Sequence, residues 1–156
     1  YDGERAFLAS APIVTGGLVL CSTQVGVLAA LDAVTGTLRW AYFDHDPPLD
    51  PSNRSRGGPI YRGRTGFAPR TVVHRDRIVH LPTFSSVVHC LDRETGEPLW
   101  TRPRERVCSI GLVTEELVVL LEDRGCRAVK LADGGEVWRQ STGPITGTGL
   151  AIGDDL

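Results

Sequence analysis

A chain of 156 residues with 17 basic and 19 acidic side chains carries a net charge of −2, and 41% of it is apolar. That near balance leaves no electrostatic footprint for nucleic acid or an anionic membrane surface, and no apolar run approaches the ~18 residues of a transmembrane helix. Four cysteines, Cys21, Cys90, Cys108 and Cys126, show no CxxC spacing and no partnered histidine pattern, which argues against a zinc site.

The predicted elements are short strands. Pro12-Ile13-Val14 runs into the turn Thr15-Gly16-Gly17, and Leu18 to Cys21 follows directly as a second strand. Val25 to Leu31 reads as a third strand and Thr37 to Phe43 as a fourth. The residues between them are Gly, Asp, Thr and Ser, which suit positive φ and Asx-type turns. A long connection spans 41–69, and the series then returns sixty residues on. Tyr1, Gly3 and Phe7 recur as Tyr61, Gly63 and Phe67, and Val19, Thr23 and Val27 as Val79, Thr83 and Val87. Ile13, Leu18 and Leu28 find conservative partners in Val73, Ile78 and Val88.

A third, shorter copy runs from Val113 through Ala128-Val129-Lys130-Leu131 to Gly134, Gly135 and Trp138, and reads as having lost two turn residues and an Asp. A fourth begins at Leu150. Four strands per roughly 40-residue core, repeated, is the pattern of a β-propeller blade. The expectation is an all-β chain: a partial β-propeller of about three four-stranded antiparallel blades. They fall at roughly 1–43, 61–103 and 104–141, with the start of a further blade at 142–156. Propellers close with ~4–8 blades, and the chain has no Met and opens and stops inside repeats. It is therefore expected to be a fragment of a single propeller domain whose remaining blades belong to its own longer chain.

The repeat is sharpest at Ala30-Leu31-Asp32-Ala33-Val34-Thr35-Gly36-Thr37-Leu38-Arg39-Trp40, which returns as Cys90-Leu91-Asp92-Arg93-Glu94-Thr95-Gly96-Glu97-Pro98-Leu99-Trp100. Asp32 and Asp92 stand where a carboxylate accepts bonds from the N–H groups of the following turn. Thr35 and Thr95 complete the turn, and Gly36 and Gly96 supply a backbone angle that a Cβ resists. Trp40, Trp100 and Trp138 fall on outer strands, where a large flat side chain buries area against the next blade. These residues read as a structural blade motif, with no catalytic residue among them.

The motif Ala-x-Asp-x-x-Thr-Gly-x-x-x-Trp resembles that of the pyrroloquinoline-quinone (PQQ) repeat propellers. That family includes BamB-type outer-membrane assembly lipoproteins and quinoprotein alcohol dehydrogenases. Residues 30–40 match every fixed position, and 90–100 differ only in Cys90. The resemblance implies a periplasmic or extracellular location and a non-catalytic scaffold with a protein partner. The rival it implies is a dehydrogenase with PQQ and Ca2+ on the propeller axis, and a sensor ectodomain is a third reading. Family dehydrogenases stack an adjacent Cys-Cys pair on the cofactor and hold calcium with acidic and Asn ligands. No Cys-Cys occurs here, so neither cofactor is expected in this fragment, though both remain open for the full-length protein.

In a four-stranded meander the connection between strands two and three opens on the same face as the connection to the next blade. The long connection lies on that face, and long connections are commonly functional. Its stretch unique to one copy holds Asp44, His45, Asp46, Asp50, Arg54 and Arg56. This candidate binding-face loop reads either as a cation site beside an anion site or as a solvated loop. His80 and His89 sit equidistant from a turn and are expected to face each other across a hairpin, with Leu20 and Ala29 as their counterparts in the first copy. Metal binding there lacks a third ligand. His74 reads as a channel-lining or hydrogen-bonded residue, and Cys108 and Cys126 share a blade and could pair.

Overall fold

The computed structural model describes residues 10–23, 26–44, 70–82 and 85–144. Within them every regular element is a strand, and the strands form three four-stranded antiparallel sheets, each a meander in chain order. Blade 1 comprises β1 (Ile13–Thr15), β2 (Leu18–Ser22), β3 (Val27–Asp32) and β4 (Leu38–Phe43). Blade 2 comprises β5 (Arg70–His74), β6 (Arg77–Leu81), β7 (Val87–Asp92) and β8 (Pro98–Pro103). Blade 3 comprises β9 (Val107–Val113), β10 (Leu117–Glu122), β11 (Gly125–Lys130) and β12 (Glu136–Ser141). The beginning of the fourth copy at Leu150 lies outside the described residues.

The pairing register corrects the sixty-residue offset in the first half of the repeat. Thr15 pairs with Leu18 where His74 pairs with Arg77, so the copies are offset by 59 there (15 to 74). Ile13 thus answers Val72, and Leu20 answers Val79. The offset becomes 60 only after the connection between the second and third strands, which is one residue longer in blade 2. The third copy also differs from its reading. Its motif turn is full length: Gly134 N–H donates to the Lys130 carbonyl as Gly96 does to Asp92 and Gly36 to Asp32. The lost residues fall in the tight β10–β11 hairpin, where Glu122 pairs with Gly125.

The core lies between sheets. Leu18, Leu20, Leu28, Ala30 and Trp40 of blade 1 pack on Ile78 and Leu91 of blade 2. Val79, Leu81, Val88, Cys90 and Trp100 of blade 2 pack on Val107, Ile110, Val118, Leu120, Val129 and Leu131 of blade 3. Strand alternation produces this directly, because successive residues of a buried strand face opposite neighbours. Ile78 faces back and Val79 forward, and both are fully buried.

A bulge recurs at one place in every blade. Ala30, Cys90 and Ala128 pair with the three tryptophans, and in each blade the register then slips by one residue. Trp40 and Trp100 are 9% and 7% exposed. The Trp40 indole donates from Nε1 to the Arg93 carbonyl at 3.0 Å, and Trp100 donates to the Leu131 carbonyl at 2.8 Å. Each ring also lies on the motif glycine of the following blade. A Cβ on Gly96 would stand 2.5 Å from Trp40, and one on Gly134 would stand 2.8 Å from Trp100. These glycines therefore serve two ends, the positive φ of the turn and a flat seat for an indole. Trp138 is 41% exposed, and Gly36 has no described neighbour within 4 Å.

Truncating Trp40 or Trp100 to Ala should cost about 3–5 kcal/mol each, the range for a large aromatic in a core. Chemical denaturation of the full-length protein checks this. A loss within ~0.5 kcal/mol, the scale of a surface change, would remove the docking role.

Candidate functional site

The repeated motif is occupied with its own turn. Asp32 Oδ1 accepts from the N–H groups of Val34 and Thr35 and from the Thr35 hydroxyl at 2.9–3.0 Å. Asp92 Oδ1 accepts from Glu94, Thr95 and the Thr95 hydroxyl at 2.9–3.1 Å. The backbone bond from Thr35 lowers the Asp32 pKa most and that from Thr95 lowers Asp92, so both are held ionised as turn caps. In blade 3 Lys130 takes the Asp place, and Asp133 caps Gly135 N–H at 2.7 Å instead.

The two classes of connection share one face. Asp44 N–H donates to the Gly26 carbonyl, Arg104 to Ser86 and Thr142 to Arg124. In each blade this ties the residue after the outer strand to the tip between the second and third strands. Beneath this face, at the joint of blades 1 and 2, lies a buried polar cluster. His80 and His89 pair across β6 and β7. Their rings stack with centroids 6.5 Å apart and are 1–2% exposed. Asp44, at the root of the long connection, places Oδ1 2.9 Å from His89 Nε2, with the carboxylate side chain 5% exposed. The Tyr42 hydroxyl lies 3.1 Å from His89 Nδ1, and Thr71 Oγ1 lies 2.9 Å from His80 Nδ1.

Burial opposes ionisation of Asp44. The bonds it accepts from His89 and Ser85, together with the charge interaction with the two imidazoles, outweigh that burial and hold its carboxyl below the usual range. An ionised Asp44 accepts from His89 Nε2, and the Tyr42 hydroxyl meets the other ring nitrogen. Burial drops the His80 pKa to about 4, with His89 adding to the effect, so His80 is neutral at ordinary pH.

The next joint is built on different groups at equivalent places. Leu120 and Arg127 pair across β10 and β11 where blade 2 has His80 and His89. The Arg127 side chain, 6% exposed, lies 3.3 Å from Glu105 and 3.5 Å from Glu122, and donates to the Pro103 carbonyl. Arg104 replaces Asp44 and donates to the carbonyls of Pro82 and Val107. In blade 1 the counterpart of His80 is Cys21, which pairs with Ala29, and not Leu20.

Of the loop residues read as a binding-face candidate, Asp44 joins the cluster, while His45, Asp46, Asp50, Arg54 and Arg56 lie outside the described residues. Tyr42 and Thr71 were not singled out from sequence, and Ser85 only as part of a strand tip on that face. Their signal was position: Tyr42 is two residues beyond the docking Trp and Ser85 sits on a strand tip. Cys108 and Cys126 remain thiols on strands separated by β10. His74 ends β5, and its Nε2 has no hydrogen-bond partner among the described residues. Nor do those residues bring together three His, Cys, Asp or Glu side chains that could hold a metal.

Four-stranded meanders docked face to face through outer-strand tryptophans define a β-propeller. The family model described as outer membrane protein assembly factor BamB matches residues 4–71 and 65–154. The chain belongs to this family of PQQ-like repeat propellers. It is similar to the dehydrogenase subunit of the quinone alcohol dehydrogenase of Gluconobacter oxydans, with 30% identity over 97 residues, 60% of this chain and 12% of that protein. BamB from Moraxella catarrhalis superposes with TM-score 0.56 at 22% identity, covering 81% of this chain and 34% of that one. Quinohemoprotein alcohol dehydrogenase from Comamonas testosteroni gives 0.60 at 18%, covering 84% and 20%. The chain thus spans about an eighth of the curated relative and no more than about a third of these two solved chains.

Asp44→Ala would leave the His89 Nε2 proton buried without its acceptor, which should cost about 1–3 kcal/mol. Asp44→Asn keeps an acceptor and should cost less. Thermal melts of both variants at neutral pH check the order; equal losses would show that no bond to His89 is at stake.

Proposed function

We propose that this chain supplies blades of an extracytoplasmic PQQ-like propeller that works as a non-catalytic, protein-binding scaffold. The observation that carries this reading is where the polar groups go. The motif carboxylates cap their own turns, and the buried histidines, Asp44 and Arg127 close joints between blades. The most ordered chemistry of the described residues holds the propeller together and presents one face of connections. The resemblance to BamB supports a protein partner on such a face.

The similarity to a quinone alcohol dehydrogenase subunit favours a second reading, a dehydrogenase that oxidises alcohols or sugars with PQQ and Ca2+. The described residues do not fit that cofactor pair. The four thiols stand apart in sequence, and Asp44 is engaged with His89. Asn53, the sole asparagine of the chain, lies outside the described residues. Cofactor ligands would have to come from outside the described residues.

Reconstituting the full-length protein with PQQ and Ca2+, followed by dye-linked oxidation of alcohols and sugars, separates the readings. The scaffold reading expects no dye reduction above a no-protein control. Cofactor-dependent turnover would replace it with the dehydrogenase.

A further inference from the structure

The two joints differ in kind. Both share the indole-on-glycine dock, but the first is finished with two imidazoles, a carboxylate, a phenol and hydroxyls, and the second with a guanidinium among glutamates. We propose that the joint between blades 1 and 2 is a proton-operated latch: charging its paired imidazoles parts these two blades while the joint between blades 2 and 3 stays shut.

Among the described residues the ionisable groups facing the imidazole pair are few. Tyr42 of β4 and Asp44 just beyond it supply the titratable groups, and Thr71 and Ser85 add neutral hydroxyls. The apolar side chains that blade 1 gives to the same joint, Leu18, Leu20, Leu28 and Ala30, do not titrate. On β5, Val73 joins the core of the first joint and Val72 that of the second. By alternation Arg70 and His74 point away from the pair. Ile78 and Leu91 face blade 1, so Arg77 and Asp92 point away as well. On β8, Arg102 donates to the Asp133 and Gly134 carbonyls of blade 3. Among the described residues one carboxylate therefore answers two imidazoles. It can balance one imidazolium, and a second charge 6.5 Å away has no counter-ion among the described residues.

The direction follows from linkage. His80 holds its proton only below about pH 4 in the closed joint, against about 6.5 for a solvated histidine. The parted state therefore binds a proton that the closed state does not across this window. The latch is fully closed above about pH 6.5 and loosens as pH falls towards 4. At pH 5 the opening equilibrium should rise roughly 30-fold over that at pH 7.5. Among the described residues the second joint carries one imidazole, that of His74 on the Val72 side of β5, and no imidazole pair.

Hydrogen exchange on the full-length protein at pH 7.5 and 5.0, corrected for intrinsic rates, tests the latch. Amides of β4, β6 and β7 should lose protection by about the predicted factor at pH 5, while those of β10–β12 keep theirs. His80→Leu places at this site the residue that blade 3 carries as Leu120, and should abolish the response. His80→Asn, which retains a polar partner for Thr71, should do the same if the leucine variant folds poorly. Equal loss at both joints, no loss at either, or a response that survives removal of His80 would overturn the proposal.

Discussion

An indole from one blade lies on a glycine of the next and gives its proton to a turn carbonyl there, and the other parts of the motif serve that contact. Asp32 and Asp92 tie their turns so that the seat has one shape. The bulge before each turn shifts the outer strand by one residue beyond the tryptophan that docks. Glycine at the seat is required twice, by a φ near +74° and by a ring that leaves no room for a methyl group. The carbonyl matters because an indole N–H buried without a partner costs what its hydrogen bond would have gained. Each blade thus carries a ring at one side and a seat at the other, and consecutive copies fit by construction.

Repetition also explains what a sequence alone could convey. Strand period, turn residues and the spacing from Asp to Trp are local, so the blade architecture was legible from 30–40 and 90–100. The register error has a local cause too. A sixty-residue offset aligned Leu18 with Ile78 because both are apolar, and in a strand buried on both faces a one-residue slip leaves the apolar pattern nearly unchanged. The hydrogen-bond ladder has no such tolerance, and it assigns Cys21 to the place of His80.

The polar cluster was legible only in part. His80 and His89 could be placed opposite each other because a hairpin is local. That Asp44 reaches His89 across 45 positions, and Tyr42 the same ring from the other side, is a property of docked blades. Arg127 shows the same limit: it reads as an ordinary charged residue on a strand, yet lies buried among three glutamates contributed by the blade 2–blade 3 connection, β10 and β12. What differs between joints lies at the positions that the motif leaves free, and those positions carry the chemistry particular to this chain.

The most direct measurement is a double-mutant cycle in the full-length protein between Trp40→Ala and Gly96→Ala, with Gly36→Ala as reference. Gly36 and Gly96 share a positive φ, of 71° and 74°, but only Gly96 lies under an indole in the described structure. If docking holds the blades, Gly96→Ala costs more than Gly36→Ala. The excess should vanish in the Trp40→Ala background, giving a coupling of about 1–3 kcal/mol. Equal costs for the two glycines, and no coupling to Trp40, would mean that the glycine serves its turn alone and that the blades are held by something else.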